Sequence, residues 1–219
     1  MKRITVITGH YGSGKTNLSV NLAVKAAQEH DSVAIVDLDL VNPYFRTADF
    51  CELFKEKNIK MIAPDFANTN LDMPSVQFDV EELAATEDHL ILDVGGDDAG
   101  AFALGRYSEA LNSYGDELEM LYVINQRRYL TNTPDAAIKL MYEIEAASRM
   151  KHTAIVNNTN LAGETTAEII EQSAEFADEI AKRTGLPILY TVYPEDIAEL
   201  SDRDDVFPAK RYVRTVWET

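Results

Sequence analysis

Cysteine is nearly absent from this chain of 219 residues, because Cys51 is the single one. One cysteine cannot form a disulfide within the chain, and no second thiol is available to complete a thiolate metal site. Long apolar runs are also missing, so no stretch is long enough to span a bilayer. The start of the sequence, MKRITVITG, has no apolar signal-peptide core or cleavage site, and we expect a cytoplasmic protein.

Basic residues are outnumbered, with 20 Lys and Arg against 37 Asp and Glu and a formal net charge of −17. A surface of that sign repels phosphate backbones and anionic lipid at long range, so we expect neither nucleic acid nor a membrane as partner. The same charge also serves solubility alone. Length and globular composition favour a single domain over residues 1–219.

Short apolar runs alternate with longer segments of helical period along the chain. This alternation predicts a three-layer α/β/α sandwich around a mostly parallel sheet of about seven strands. The predicted strands are 4–8, 33–37, 60–63, 90–94, 120–125, 153–157 and 188–192. The predicted helices are 16–30, 47–57, 79–86, 99–114, 134–150, 164–184 and 194–201. Residues 64–77 form the longest irregular stretch, which is either a functional loop or a surface excursion.

The sharpest motif is GHYGSGKT, which fits the pattern G-x-x-x-x-G-K-[ST] between a predicted strand and a predicted helix. Its glycines let backbone N–H groups wrap around phosphates, and the N-terminus of the helix adds partial positive charge. Lys15 would supply charge to the β- and γ-phosphates, and Thr16 would offer its hydroxyl to magnesium. A structural glycine turn is the alternative. The expected nucleotide-binding residues here are Gly9, Gly12, Ser13, Gly14, Lys15, Thr16 and Asn17.

The predicted strand at 90–94 contains Asp93 near its end, and Gly95 and Gly96 follow. This order is typical of a Walker B carboxylate and of a loop that responds to a γ-phosphate. We expect Asp93 to help hold magnesium, through water. Apolar residues followed by aspartate also occur by chance, so the assignment depends on the phosphate-binding motif.

The predicted second strand ends in Asp37, and Asp39 follows two residues later. Both carboxylates would lie at the carboxyl edge of the sheet, where open α/β folds bind their ligands. We expect Asp37 to contribute to the magnesium shell and Asp39 to orient a water molecule for in-line attack. An aspartate that only caps the turn after the strand is the alternative for either residue.

With these segments in place, the sequence resembles the MinD/ParA/CobQ-like branch of P-loop nucleotide hydrolases, whose second strand ends in a similar pair of carboxylates. The resemblance implies a P-loop NTPase fold, ATP and Mg²⁺ as cofactors, and a switch read by an unknown protein partner. It extends to the adenine site, where Asn157 or Asn158 would hydrogen-bond the base edge. The backbone near Pro194, within VYPED, would close that pocket.

One position departs from the family pattern. Members that hydrolyse ATP as a face-to-face homodimer usually carry a second lysine directly after the first loop glycine, and His10 occupies that position. A largely neutral imidazole does not replace an ammonium that stabilises charge on the transferring phosphoryl group. An ATP-dependent homodimer therefore stays an open expectation. The candidate replacements, each also readable as a solvated surface residue, are Arg46, Arg106, Arg127 and Arg128.

Three functions are compatible with this motif. We prefer magnesium-assisted attack of water on the γ-phosphate, with Lys15 and the loop amides stabilising charge and Asp39 orienting the water. A ligase or kinase resembling dethiobiotin synthetase or the cobyrinate amidases would instead transfer the phosphoryl group to a substrate carboxylate. A non-catalytic ATP-binding module would change conformation on binding ATP, with negligible turnover.

Overall fold

The computed structural model describes residues 1–39, 50–63 and 78–213, and within them eight strands form one sheet. The strands are β1 (Ile4–Gly9), β2 (Val33–Leu38), β3 (Ile59–Ile62), β4 (His89–Val94), β5 (Leu118–Ile124), β6 (Ala154–Asn157), β7 (Ile188–Pro194) and β8 (Val206–Ala209). They lie in the order β3-β2-β4-β1-β5-β6-β7-β8, and every neighbouring pair is parallel. The predicted parallel sheet is therefore confirmed, with eight strands instead of about seven.

The helices form a layer on each face of the sheet. They are α1 (Lys15–Glu29), α2 (Cys51–Glu56), α3 (Val80–Thr86), α4 (Asp98–Gly105), α5 (Ser108–Asn112), α6 (Pro134–Ser148), α7 (Ala167–Glu171) and α8 (Ala174–Thr184). Helices α1 and α2 share one core cluster with the sheet, whereas α3, α4, α6 and α8 belong to the other. The three-layer sandwich is thus confirmed. Among the described residues, no helix is long and apolar enough to cross a membrane.

Alternate residues of the central strands pack on opposite layers. Ile7, Ile35 and Ile91 belong to the cluster around α1, while Val6 and Val36 belong to the cluster around α4 and α6. Strands β1, β2 and β4 are buried at every position because both faces are covered. This double burial explains why apolar residues predominate on both faces of these strands.

The last third of the chain differs from the prediction in one helix and in one additional strand. A helix was expected at 194–201, but β7 continues to Pro194, and only a single turn of 3-10 helix forms at Ala198–Leu200. Strand β8 was not predicted, because it has four residues, contains Pro208 and lies at the edge of the sheet. Proline is tolerated on an edge strand, where its missing N–H removes no ladder bond that the sheet needs.

Two long predicted helices are each interrupted. The helix expected at 99–114 ends at Gly105 and resumes at Ser108. The helix expected at 164–184 is divided into α7 and α8 at Ser173, whose buried hydroxyl lies 2.6 Å from the carbonyl oxygen of Ile170. Arg46 and the stretch 64–77 lie outside the described residues, as does the start of the helix predicted at 47–57.

The order of the strands indicates where on the sheet a ligand would bind. The chain runs from β1 outward through β2 and β3, returns to insert β4 beside β1, and then extends through β5 to β8 on the other side. Open α/β sheets bind ligands beyond the carboxyl ends of the strands where such a reversal occurs. The segments that follow β1, β2, β4 and β5 all lie at these carboxyl ends.

Candidate functional site

The loop between β1 and α1 is held in a conformation that requires glycine. Gly14, directly before α1, has a φ of 90°, in the left-handed region. A side chain there would also place its Cβ 2.3 Å from the amide nitrogen of Asn158. The loop therefore wraps closely and leads into the N-terminus of a helix of 15 residues.

Lys15 brings a buried cation into this loop. Its side chain is only 7% exposed, and its ammonium donates a 3.2 Å hydrogen bond to the carbonyl oxygen of His10. Burial lowers the pKa of Lys15, while the negative charges of Asp93, Asp39 and Asp97 act in the opposite direction. The ammonium of Lys15 thus lies close enough to three carboxylates to interact with their charges. Asp97 is not among the site residues that the sequence predicts.

Asp37 and Asp93 lie side by side on adjacent strands. They are register partners between β2 and β4, on the face of the sheet that packs on α1. The hydroxyl of Ser19, from α1, lies 3.0 Å from Oδ1 of Asp93. Oδ1 of Asp37 accepts a 2.9 Å hydrogen bond from the backbone N–H of Asp39. Three predicted carboxylates therefore gather next to the first turns of α1.

The loop after β4 touches the phosphate-binding loop directly. A Cβ on Gly96 would lie 2.5 Å from the backbone nitrogen of Tyr11 and 2.7 Å from the ammonium of Lys15. A Cβ on Gly95 would lie 3.2 Å from Oδ1 of Asp39. These contacts leave no room for a side chain at Gly96. The ends of β1, β2 and β4 thereby form one continuous cluster.

The side chains of Asn157 and Asn158 are engaged inside the protein. Asn158 donates a 2.7 Å hydrogen bond to the carbonyl oxygen of Ser13. The Asn157 amide donates to the hydroxyl of Ser173 over 2.9 Å, and its oxygen accepts bonds from the backbone and hydroxyl of Thr159. The structure thus joins Asn158 to the phosphate-binding loop and Asn157 to Ser173 and Thr159.

Asn17 contacts the C-terminal segment. Its oxygen accepts from the backbone N–H groups of Tyr212 (2.8 Å) and Val213 (3.1 Å), and its amide donates to the carbonyl oxygen of Lys210 over 3.1 Å. Pro194 is joined to the same region, because it pairs with Ala209 between β7 and β8. The sequence did not reveal this contact because β8 was not recognised.

The donor set suits magnesium only together with a phosphate. In the described ranges, no group of three or more His, Cys, Asp and Glu side chains is arranged to hold a metal ion. Mg²⁺ does not need such a group, because it usually takes one or two carboxylates and completes its shell with water and substrate phosphates. Thr16, half-buried at the second position of α1, and the carboxylates of Asp37 and Asp93 fit that pattern.

Unsatisfied polar atoms concentrate at the same loop. Three buried side-chain atoms in the described part of the chain have no hydrogen-bond partner: Oγ of Ser13, Nε of Arg128 and Nδ1 of His89. Buried polar groups are normally paired, so each exception needs an explanation. Ser13 belongs to the loop. Arg128 lies against Gly12, where an added Cβ would be 3.3 Å from its Nε. Two of the three unpaired atoms therefore lie at this loop.

No protein-family model and no curated protein sequence matches the chain. Solved structures do match. The cell division protein FtsY of Thermotoga maritima aligns with a TM-score of 0.57 and 19% identity over 89% of this chain and 63% of its own. FtsY of Mycoplasma mycoides gives 0.56 and 16% over 85% and 58%. The signal recognition particle receptor FtsY of Elizabethkingia anophelis in complex with GDP gives 0.53 and 13% over 89% and 58%.

This chain therefore spans less than two thirds of the length of these structures, which are 58% to 63% covered. At these identities the likeness concerns the fold alone. The parallel sheet and the phosphate-binding loop after its central strand agree with that likeness, and the chain has the fold of the P-loop nucleotide hydrolases.

Proposed function

We propose that this chain binds ATP with Mg²⁺ at the loop from Gly9 to Thr16 and hydrolyses the γ-phosphate. The observation that carries the proposal is the position of Lys15. Its ammonium is buried in the loop, faces the charges of three carboxylates and lies against the Gly96 turn. A buried cation between a helix N-terminus and acidic strand ends suits a polyanion bound with a divalent cation.

Each residue would have a distinct role. The loop amides and Lys15 would stabilise the charge that develops on the phosphate oxygens. Thr16 and Asp93 would hold magnesium, with Asp37 beside them in the outer shell, where Ser19 fixes the orientation of Asp93. Asp39 would orient the attacking water, since its carboxylate lies against Gly95, in the loop that would respond to a γ-phosphate.

The contact between Gly96 and the loop supports a switch. A γ-phosphate that enters beside Lys15 would meet the backbone of Gly96, because that backbone already lies against the Tyr11 nitrogen and the Lys15 ammonium. The turn would therefore take one position with the triphosphate and another after hydrolysis. Helix α4 begins at Asp98, directly after this turn, and would carry the change to a protein partner.

GTP is a second candidate, because the FtsY structure of Elizabethkingia anophelis contains GDP. The groups that would distinguish the two bases are Asn157 or Asn158, the backbone near Pro194 and the segment that follows β8. Asn17 attaches that segment to the start of α1. ATP remains our proposal because the sequence resembles the MinD/ParA/CobQ-like branch.

Steady-state phosphate release with ATP or GTP, with and without Mg²⁺, tests the proposal. We expect release that needs Mg²⁺ and prefers ATP, and a fall of about 100-fold or more in Asp39→Asn with ATP affinity retained. Asp31→Asn is the matched control, since Asp31 is exposed and precedes β2, at the amino ends of the strands. Release that begins only when a carboxylate substrate is added would indicate phosphoryl transfer instead. Size-exclusion profiles with and without ATP report whether two chains associate.

A further inference from the structure

Arg128 lies against the phosphate-binding loop, although it is more than a hundred positions away in the sequence. It follows β5, in a tight turn where its backbone N–H donates to the carbonyl oxygen of Asn125 over 3.1 Å. Gly12 has a φ of 73°, and a Cβ there would lie 3.3 Å from both Cζ and Nε of Arg128 and 3.5 Å from its Nη1. The guanidinium therefore covers the middle of the loop.

The charge of Arg128 has no counter-ion in the described part of the chain. No ion pair joins it to a carboxylate, and its buried Nε has no hydrogen-bond partner. Burial lowers the pKa of Arg128, with the Tyr11 phenol as the opposing influence. A partly desolvated cation without an anion is unfavourable, so an anionic ligand bound beside the loop would stabilise it.

The other candidate arginines in the described residues do not share this position. The guanidinium of Arg127 is exposed and donates to Oε1 of Gln172 over 3.2 Å. Arg106 is exposed at the end of α4, beside Phe78 and Tyr107. The structure thus distinguishes between side chains that the sequence left equivalent.

We propose that Arg128 supplies the second positive charge at the phosphate site, from within the same chain, by contacting the terminal phosphate of the bound triphosphate. This rests on the proposed function. Guanidinium suits the role because its planar donors match two phosphate oxygens at once. It also gives a reason why His10 can stand where a lysine is usual, because the charge comes from another direction.

Arg128 takes no proton in the reaction. The water oxygen forms a bond to the γ-phosphorus, the bond to the β–γ bridging oxygen breaks, and its electron pair remains on ADP. The water proton passes to Asp39 and then to the released phosphate. Arg128 stabilises the negative charge on the terminal phosphate and on the bridging oxygen as that bond breaks.

The test compares Arg128→Gln, Arg128→Lys and the matched neighbour Arg127→Gln. For phosphate release from Mg-ATP we expect Arg128→Gln to lower kcat by about 100-fold or more, Arg128→Lys to recover part of it, and Arg127→Gln to stay near wild type. Isothermal titration should show that Arg128→Gln loses its preference for ATP over ADP. Urea unfolding should show a stability equal to or above wild type, because an uncompensated charge has been removed.

Dilution supplies a second readout. If the charge comes from the same chain, turnover per mole of wild-type protein stays constant on about tenfold dilution. Turnover that falls on dilution, or equal effects of Arg127→Gln and Arg128→Gln, would overturn the assignment of Arg128 while leaving nucleotide binding intact. Wild-type protein that binds neither ATP nor GTP would overturn the proposed function itself.

Discussion

The side-chain amide of Asn158, from the loop after β6, donates a 2.7 Å hydrogen bond to the carbonyl oxygen of Ser13, in the middle of the phosphate-binding loop. The same amide nitrogen fills the space that a side chain on Gly14 would need. A residue 145 positions away in the sequence thus fixes the path of the loop. The loop amides can then be oriented before a phosphate arrives, which lowers the cost of binding.

Asn158→Ala should therefore weaken nucleotide binding through the loop. The change removes a buried hydrogen bond and leaves the Ser13 carbonyl unsatisfied, which costs about 1–3 kcal/mol. We expect that loss to be divided between stability in urea and affinity for Mg-ATP by calorimetry. Asn112→Ala is the control. It loses a 3.3 Å hydrogen bond from the Asn112 side-chain amide to the carbonyl oxygen of Arg149, far from the phosphate-binding loop in the sequence. Equal affinity losses in the two variants would contradict this role.

Gly96→Ala should abolish tight nucleotide binding. A methyl group at that position would overlap the Tyr11 nitrogen at 2.5 Å and the Lys15 ammonium at 2.7 Å, so the loop must shift. We expect Mg-ATP affinity to fall by about 100-fold or more, measured by calorimetry. Gly185→Ala is the comparison: it has a φ of 75° but nothing within 4 Å of its Cβ, so it should lose stability and keep affinity. Unchanged affinity in Gly96→Ala would contradict the contact.

Asp93→Asn should reduce the dependence of nucleotide affinity on magnesium. The neutral amide is a weaker ligand for Mg²⁺ or for its bound water, whereas the loop amides and Lys15 are unchanged. Titrations of ATP with Mg²⁺ and with a chelator should therefore converge in the variant. Asp88→Asn makes the same substitution just before β4, at the other end of the strand, and should keep the wild-type difference. A full magnesium effect in Asp93→Asn would argue against this assignment.

Asn17→Ala should release the C-terminal segment from α1. The backbone N–H groups of Tyr212 and Val213 both donate to the Asn17 side chain. Loss of about 1 kcal/mol per bond predicts several-fold faster hydrogen exchange at these two amides. The backbone N–H of Thr191 donates to the carbonyl oxygen of Asp205 over 2.8 Å and serves as an internal reference. Exchange that stays unchanged at residues 212 and 213 would show that the segment is held by other contacts.

Acid should weaken the network behind β1. Glu145 accepts hydrogen bonds from Lys151 and from the backbone of His152, and the His152 ring lies 2.8 Å from the hydroxyl of Thr8, the residue before Gly9. Burial alone would raise the pKa of Glu145, but its hydrogen bonds with His152 and Lys151 outweigh burial and lower the pKa to about 2.

The pKa of Glu145 in the folded protein is therefore below its unfolded value, and its contribution is present above pH 4.5 and lost as pH falls toward 2. The stability difference between wild type and Glu145→Gln, up to about 3 kcal/mol at pH 7, should shrink below pH 4.5 in urea unfolding. Glu143→Gln, an exposed change on the same helix, should give a small difference at every pH. A Glu145→Gln difference that does not vary with pH would contradict the account.

Much of the fold follows from short-range patterns in the sequence. The central strands are buried on both faces, so each is predominantly apolar. The glycines before Lys15 are spaced as a phosphate loop requires. The carboxylates Asp37 and Asp93 each follow apolar residues in such a strand. Their side-by-side register could not be read from the sequence, because it depends on the insertion of β4 between β1 and β2.

The features that the sequence did not reveal depend on long-range contacts. Ser173 lies between two helices, and its hydroxyl accepts a hydrogen bond from Asn157, sixteen positions earlier. Arg128 and Arg127 are adjacent and chemically identical, and only the turn after β5 directs one onto Gly12 and the other toward Gln172. Strand β8 is short and contains proline, so it is defined by its pairing with β7, while Asn17 and Asn21 of α1 bind Lys210, the next residue.

Calorimetric titration of Mg-ATP and Mg-GTP into wild type and Lys15→Met is the most direct test of the phosphate site. Lys25→Met, an exposed change on the same helix, is the control. We predict that wild type and Lys25→Met bind a triphosphate with equal affinity, and that Lys15→Met binds it about 100-fold more weakly while remaining folded. Wild-type protein that shows no binding heat with either nucleotide, or a Lys15→Met variant that binds as tightly as wild type, would contradict the account.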